Sequence, residues 1–104
     1  MKPNDLSVMH ANAAQAEHLL ALLANRHRLL ILCQLTESEL TVSKLVDASA
    51  ISQSAVSQHL AKLRDANVVA TRREGQTIFY RLASDEVKAI IETLCGLYLP
   101  TSNT

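Results

Sequence analysis

A chain of 104 residues has room for one domain and one core, and its 48% apolar content excludes a disordered tail. Ten cationic side chains balance ten anionic ones, so attraction to a polyanion must come from where the charges sit rather than from their sum. No apolar run reaches the roughly 18 residues that cross a bilayer, because the stretch from Leu19 is broken by Asn25-Arg26-His27-Arg28, and no apolar block follows Lys2 to form a secretory signal. The expected compartment is the cytoplasm, where Cys33 and Cys95 are kept as thiols and a bond between them would act as a signal rather than a permanent staple.

Residues 1–9 contain Pro3, Asn4, Asp5 and Ser7 without periodicity and read as a mobile arm. A single domain is expected over 10–100, with a short tail at 101–104. Residues 11–24 are rich in Ala and Leu, a strong helix-forming mixture. Asn25 is placed to cap a second helix, 26–35, which carries Leu29, Leu30, Leu32 and Cys33. Thr41 then caps a short third helix to Asp47, and Ser52 caps a fourth, 53–66. On that fourth helix Val56, Leu60 and Leu63 recur at helical spacing along one buried stripe. Asn67 suits the left-handed residue that ends it.

The periodicity then changes. Residues 68–73 and 77–82 are β-branched and aromatic runs joined by Glu74-Gly75-Gln76, which predicts a hairpin with Gly75 at positive φ and with Ile78, Tyr80 and Leu82 on one face. Ser84 caps a last helix whose opening acids, Asp85 and Glu86, suit the positive end of the helix dipole. Its apolar stripe runs through Val87, Ile90, Ile91, Leu94 and Tyr98 until Pro100 stops it. The order is four helices, a hairpin and a closing helix.

Two short helices joined by a tight turn, the second polar on its outer side, make a helix-turn-helix. Burying Val56, Leu60 and Leu63 leaves Gln53, Ser54, Ser57, Gln58 and Lys62 facing outward, where short hydroxyl and amide side chains reach base edges and a lysine reaches phosphate. The hairpin adds Arg72, Arg73 and Gln76 near its tip, as a wing beside the groove would. Residues 49–82 hold Lys62, Arg64, Arg72, Arg73 and Arg81 against Asp65 and Glu74, a surplus of three positive charges that the rest of the chain cancels. The fold expected is therefore mainly α with a β-hairpin wing, a winged helix-turn-helix. A protein-binding winged helix without DNA affinity is the competing reading.

The stretches 52–64 (SQSAVSQHLAKLR) and 71–82 (TRREGQTIFYRL) resemble the recognition helix and wing of the ArsR/SmtB family of bacterial repressors, and 25–35 (NRHRLLILCQL) resembles that family's second helix. The resemblance covers nearly the whole chain, from about Ala13 to Pro100. It implies a homodimer built from the first and last helices, through Leu19, Leu23, Val87, Ile91, Leu94 and Tyr98. It also implies two recognition helices on an imperfect palindromic operator, with His59 as the family's recognition-helix histidine. Those apolar residues are more surface than so small a core needs, which agrees with an oligomer.

Many members of that family sense metals, but the arsenic-type cysteine pair at the start of the third helix is replaced here by Thr41 and Ser43, and the last helix has no histidine for a zinc-type site. His10, His18, His27 and His59 include no helical chelating pair, so neither metal nor other cofactor is expected. Cys33 and Cys95 resemble instead the paired thiols of the subgroup represented by HlyU, BigR and SqrR, which respond to reactive sulfur or oxidants; the competing reading is a regulator that displaces a silencing protein and whose cysteines are inert, small apolar packing residues. In that subgroup the second cysteine sits at the position of Leu99, whereas Cys95 lies about one helical turn, ~6 Å, earlier. Because a disulfide needs Cα atoms within about 7 Å, the shift leaves direct pairing open and favours extra bridging sulfur. With two glycines, no phosphate loop and no nucleophile motif, the chain is not expected to be an enzyme.

Overall fold

The computed structural model describes residues 3–98. Five helices and a small sheet follow one another: α1 Pro3–Leu23, α2 Arg26–Leu35, β1 Leu40–Thr41, α3 Val42–Asp47, α4 Gln53–Asp65, β2 Val69–Glu74, β3 Thr77–Leu82 and α5 Asp85–Tyr98. The mainly helical winged-helix architecture is as expected.

The helix starts are set by side chains that replace missing intrahelical partners. Asn25 Oδ1 accepts from the backbone N–H of His27 and Arg28 at 3.0 and 3.1 Å. Thr41 accepts from Lys44, Ser52 from Ala55 and Ser84 from Val87, each at 3.2 Å. After α4, Asn67 takes φ +61 and turns the chain into β2.

β2 and β3 pair antiparallel from Val69 opposite Leu82 to Glu74 opposite Thr77, so Gly75 and Gln76 alone form the loop, with Gly75 at φ +64. Glu74, read as a turn residue, thus belongs to the strand. The sheet also has a third member: β1 pairs with β3 through Leu40 opposite Tyr80 and Thr41 opposite Phe79. This two-residue strand is too short to show a period of its own.

The core joins every helix to the sheet through Leu23, Ile31, Leu32, Leu35, Leu45, Val56, Leu60, Leu63, Val68, Val69, Val87 and Ile91. Val56, Leu60 and Leu63 are all fully enclosed, so the buried stripe of α4 is as the spacing predicts.

Two expectations need correction. α1 begins at Pro3, so residues read as an arm continue the helix. Proline is tolerated in a first turn, Asp5 suits the helix N-terminus, and the alanine-rich sequence carries the helix onward. Second, Leu23, Val87 and Ile91, expected at a dimer interface, are fully committed to the core of the single chain. Helical periodicity marks an apolar stripe without saying whether its partner is the same chain or another. Pro100, the tail at 101–104 and position Leu99 lie outside the described residues.

Candidate nucleic-acid interface and thiol pair

Once its core-side residues are buried, α4 presents Gln53, Ser54, Ser57, Gln58 and Lys62 to solvent. The three buried residues seat that helix against α2 and α3. A helix of 13 residues bearing hydroxyl, amide and ammonium groups, with no acid before Asp65, can enter a major groove and offer both donors and acceptors to base edges. Lys62 makes no ion pair among the described residues and is free for phosphate.

His59 is held differently. It is half-buried, and its Nδ1 accepts a hydrogen bond from Arg28 Nε at 3.2 Å. The His27 ring lies 5.9 Å away, centroid to centroid. Its pKa is lowered by burial first, then by Arg28, His27 and Lys62. The structure therefore groups His59 with α2 and not with the outward row. Arg28 is a residue the sequence reading missed, since nothing local tells that a helix-start arginine reaches 31 residues along the chain.

The wing also divides its cations. Arg73 and Gln76 are exposed, and Arg73 has no ion-pair partner among the described residues. Arg72, in contrast, donates to Glu39 Oε1 and Glu74 Oε2, each at 2.7 Å, and lies over the Phe79 ring at 4.3 Å. Hydrogen bonds to Glu74 and then Glu39 push its pKa up, keeping it charged but partnered. The surplus of three positive charges over 49–82 is thus reduced locally by Glu39, which the pairing of β1 with β3 carries to the wing.

Cys33 of α2 and Cys95 of α5 form a disulfide, with Cα atoms 6.4 Å apart. Direct pairing, left open by the one-turn shift, is compatible with this fold: α2 and α5 pack together, and the separation falls inside the limit of about 7 Å. Both cysteines line a cleft of about 330 Å3 whose other walls include Leu29, Leu30, Leu94, Tyr98 and Arg26. The pair is therefore reachable from solvent along an apolar surface. Among the dimer candidates, Leu19 and Leu94 are half-buried and Tyr98 is exposed.

Residues 25–71, which include the helix-turn-helix, match the family described as bacterial regulatory protein, arsR family. The chain is 52% identical to the transcriptional activator HlyU of Vibrio cholerae, an alignment covering 92% of this chain and 89% of that protein. The chain belongs to the arsR family of bacterial transcriptional regulators. It is also 40% identical to the biofilm growth-associated repressor of Agrobacterium fabrum, over 89% of this chain and 80% of the relative. The solved structure of reduced HlyU from Vibrio cholerae superposes with a TM-score of 0.83 at 52% identity, covering 88% of this chain and 97% of that one. This arsR-family chain is accordingly a DNA-binding regulator of transcription and not an enzyme. Among the described residues no helix is long and apolar enough to cross a membrane.

Proposed function

We propose that the chain is a cytoplasmic, homodimeric repressor whose hold on an imperfect palindromic operator is released when Cys33 and Cys95 become joined. The observation that carries this reading is the disulfide between α2 and α5, beside an accessible cleft and remote in sequence from the recognition helix. Reduced, the two thiols leave α5 free to adjust against α2. A peroxide converts one thiolate to a sulfenic acid and leaves as water or alcohol; the second thiol then displaces water to close the disulfide. A polysulfide can instead be cleaved by one thiolate, which keeps two added sulfurs and releases the shorter polysulfide or sulfide; the second thiolate then attacks the inner added sulfur and expels hydrosulfide, so that one sulfur remains between the two cysteines. Either link fixes the core helix to the closing helix and alters the spacing of two recognition helices in a dimer.

Dimer formation is supported by α1. Leu6, Met9, Ala13, Ala16 and Leu20 recur at alternating steps of three and four, and all are exposed in the single chain. A long helix with that seam and no core of its own needs a partner helix in water. Leu97 and Tyr98 at the end of α5 extend the exposed apolar surface.

The test is binding to the chain's own promoter fragment, with reduced, peroxide-treated and polysulfide-treated protein, followed by mass analysis of both cysteines. Release on treatment, lost in Cys33→Ser and in Cys95→Ser, is the expected result. Equal release by wild type and both variants would place the sensor elsewhere. A second reading, activation by displacing a silencing protein, is favoured by the name of the Vibrio cholerae relative, an activator, whereas the Agrobacterium fabrum relative is a repressor. Transcription from a promoter lacking silencing protein separates the two, since only a repressor still lowers it.

A further inference from the structure

Arg28 joins three elements. Its Nη1 donates to the carbonyl oxygen of Leu22 at 2.8 Å, in the last turn of α1, where carbonyls lack intrahelical partners. Its own backbone N–H is held by the Asn25 cap, and its Nε donates to His59 Nδ1 at 3.2 Å. The guanidinium is always a donor, so His59 Nδ1 must present a lone pair and the ring proton must sit on Nε2. Val56, Leu60 and Leu63 set how deeply α4 sits, but apolar contact is non-directional and leaves rotation about the helix axis weakly specified. A hydrogen bond is directional.

We propose that Arg28 is a positioning residue for operator recognition, clipping neutral His59 so that Ser57 and Gln58 face the groove at a fixed rotation of α4, and that protonation of His59 opens the clip. The proposal rests on α4 being the DNA-contacting helix. Every charged or titratable group acting on His59 is cationic or becomes so: Arg28 and His27 from α2 and Lys62 from α4 itself. Among the described residues no carboxylate offsets them. A proton on Nδ1 would set donor against donor and add a positive charge beside those of Arg28 and Lys62.

The direction of the pH effect follows. Burial first, then Arg28, His27 and Lys62, hold His59 below the ordinary value of 6.5, so the unfolded chain takes up this proton more readily than the folded one. The contribution of the clip is complete above 6.5 and is lost as pH falls through the lowered value of the folded chain.

Operator affinity, measured by fluorescence anisotropy on the reduced full chain from about pH 8 to about pH 5.5, should fall roughly threefold or more on acidification. His59→Asn places an amide oxygen where Nδ1 stood; it accepts from Arg28 without titrating, and the slope should vanish whatever its affinity at high pH. His27→Gln should keep the slope with its midpoint moved to higher pH, because one cationic neighbour is gone. Arg28→Ala should bind weakly at every pH without the slope. Nitrogen shifts of His59 in the DNA-free protein provide a reading independent of DNA binding and of the folding of any variant: Nε2 should carry the proton. A proton on Nδ1 at neutral pH, affinity rising on acidification, or an unchanged slope in His59→Asn would each overturn the proposal. The nuclear resonance result also separates failure of the clip from failure of α4 as the DNA reader.

Discussion

Ser57 and Gln58 stand on the exposed side of α4 beside Lys62, which predicts a division of labour between neighbouring residues. Gln58→Ala removes a donor and an acceptor suited to base edges, and operator affinity should fall about tenfold while affinity for random DNA changes little. Equal weakening on both DNAs would assign Gln58 to the backbone. Arg72 makes the opposite case, because its charge is present but engaged by Glu39 and Glu74 over Phe79. Glu39→Ala takes away both the negative charge and the acceptor, and so frees one arm of that guanidinium. Random DNA should then bind about threefold more tightly, and the salt dependence should steepen toward one additional phosphate contact. Titration across salt concentrations checks this, and an unchanged slope would mean that Arg72 does not face the duplex.

Among the elements, the link from α2 to α5 closes a loop across a sequence separation of 62. Restricting the unfolded chain to that extent should stabilise the oxidised protein by about 4 kcal/mol relative to the reduced one. Denaturant melts with and without reductant measure the difference, and Cys33→Ser should show no response to reductant. The starts of these elements were legible in the sequence because they are local: Asn25, Thr41, Ser52 and Ser84 each serve backbone groups two or three residues away. Asn67 and Gly75 likewise hold positive φ at the turns assigned to them. What escaped depends on distance along the chain. β1 exists only by pairing with β3, the Arg72 to Glu39 bridge spans 33 residues, and the Arg28 to His59 bond spans 31. The early start of α1 has another cause, since propensity in its alanine-rich segment outweighs the irregular composition of its first turns.

At the scale of the whole molecule, the apolar stripe of α5 divides into two faces with different partners. Ile91 has 0% of its surface exposed, whereas Leu97 and Tyr98, on the last turns, are 68% and 77% exposed. The same chemical change should therefore have different consequences on the two faces. Ile91→Asp places an unpaired charge in the chain's own core beside Cys33 and Cys95, and should unfold the protein rather than separate protomers. Leu97→Glu adds its charge to a surface already in water and should leave the helical circular dichroism and the fold of the single chain intact. If that surface meets a second copy, burying the carboxylate there has no compensating partner, and sedimentation should show a folded monomer. Leu20→Glu, on the exposed seam of α1, should act in the same direction. Operator affinity should drop with either variant, because two half-sites joined through a dimer bind far better than one alone. A folded Leu97→Glu, Leu20→Glu double variant that remains dimeric would move the interface away from α1 and α5, whereas a folded monomer with full operator affinity would remove the need for a dimer altogether.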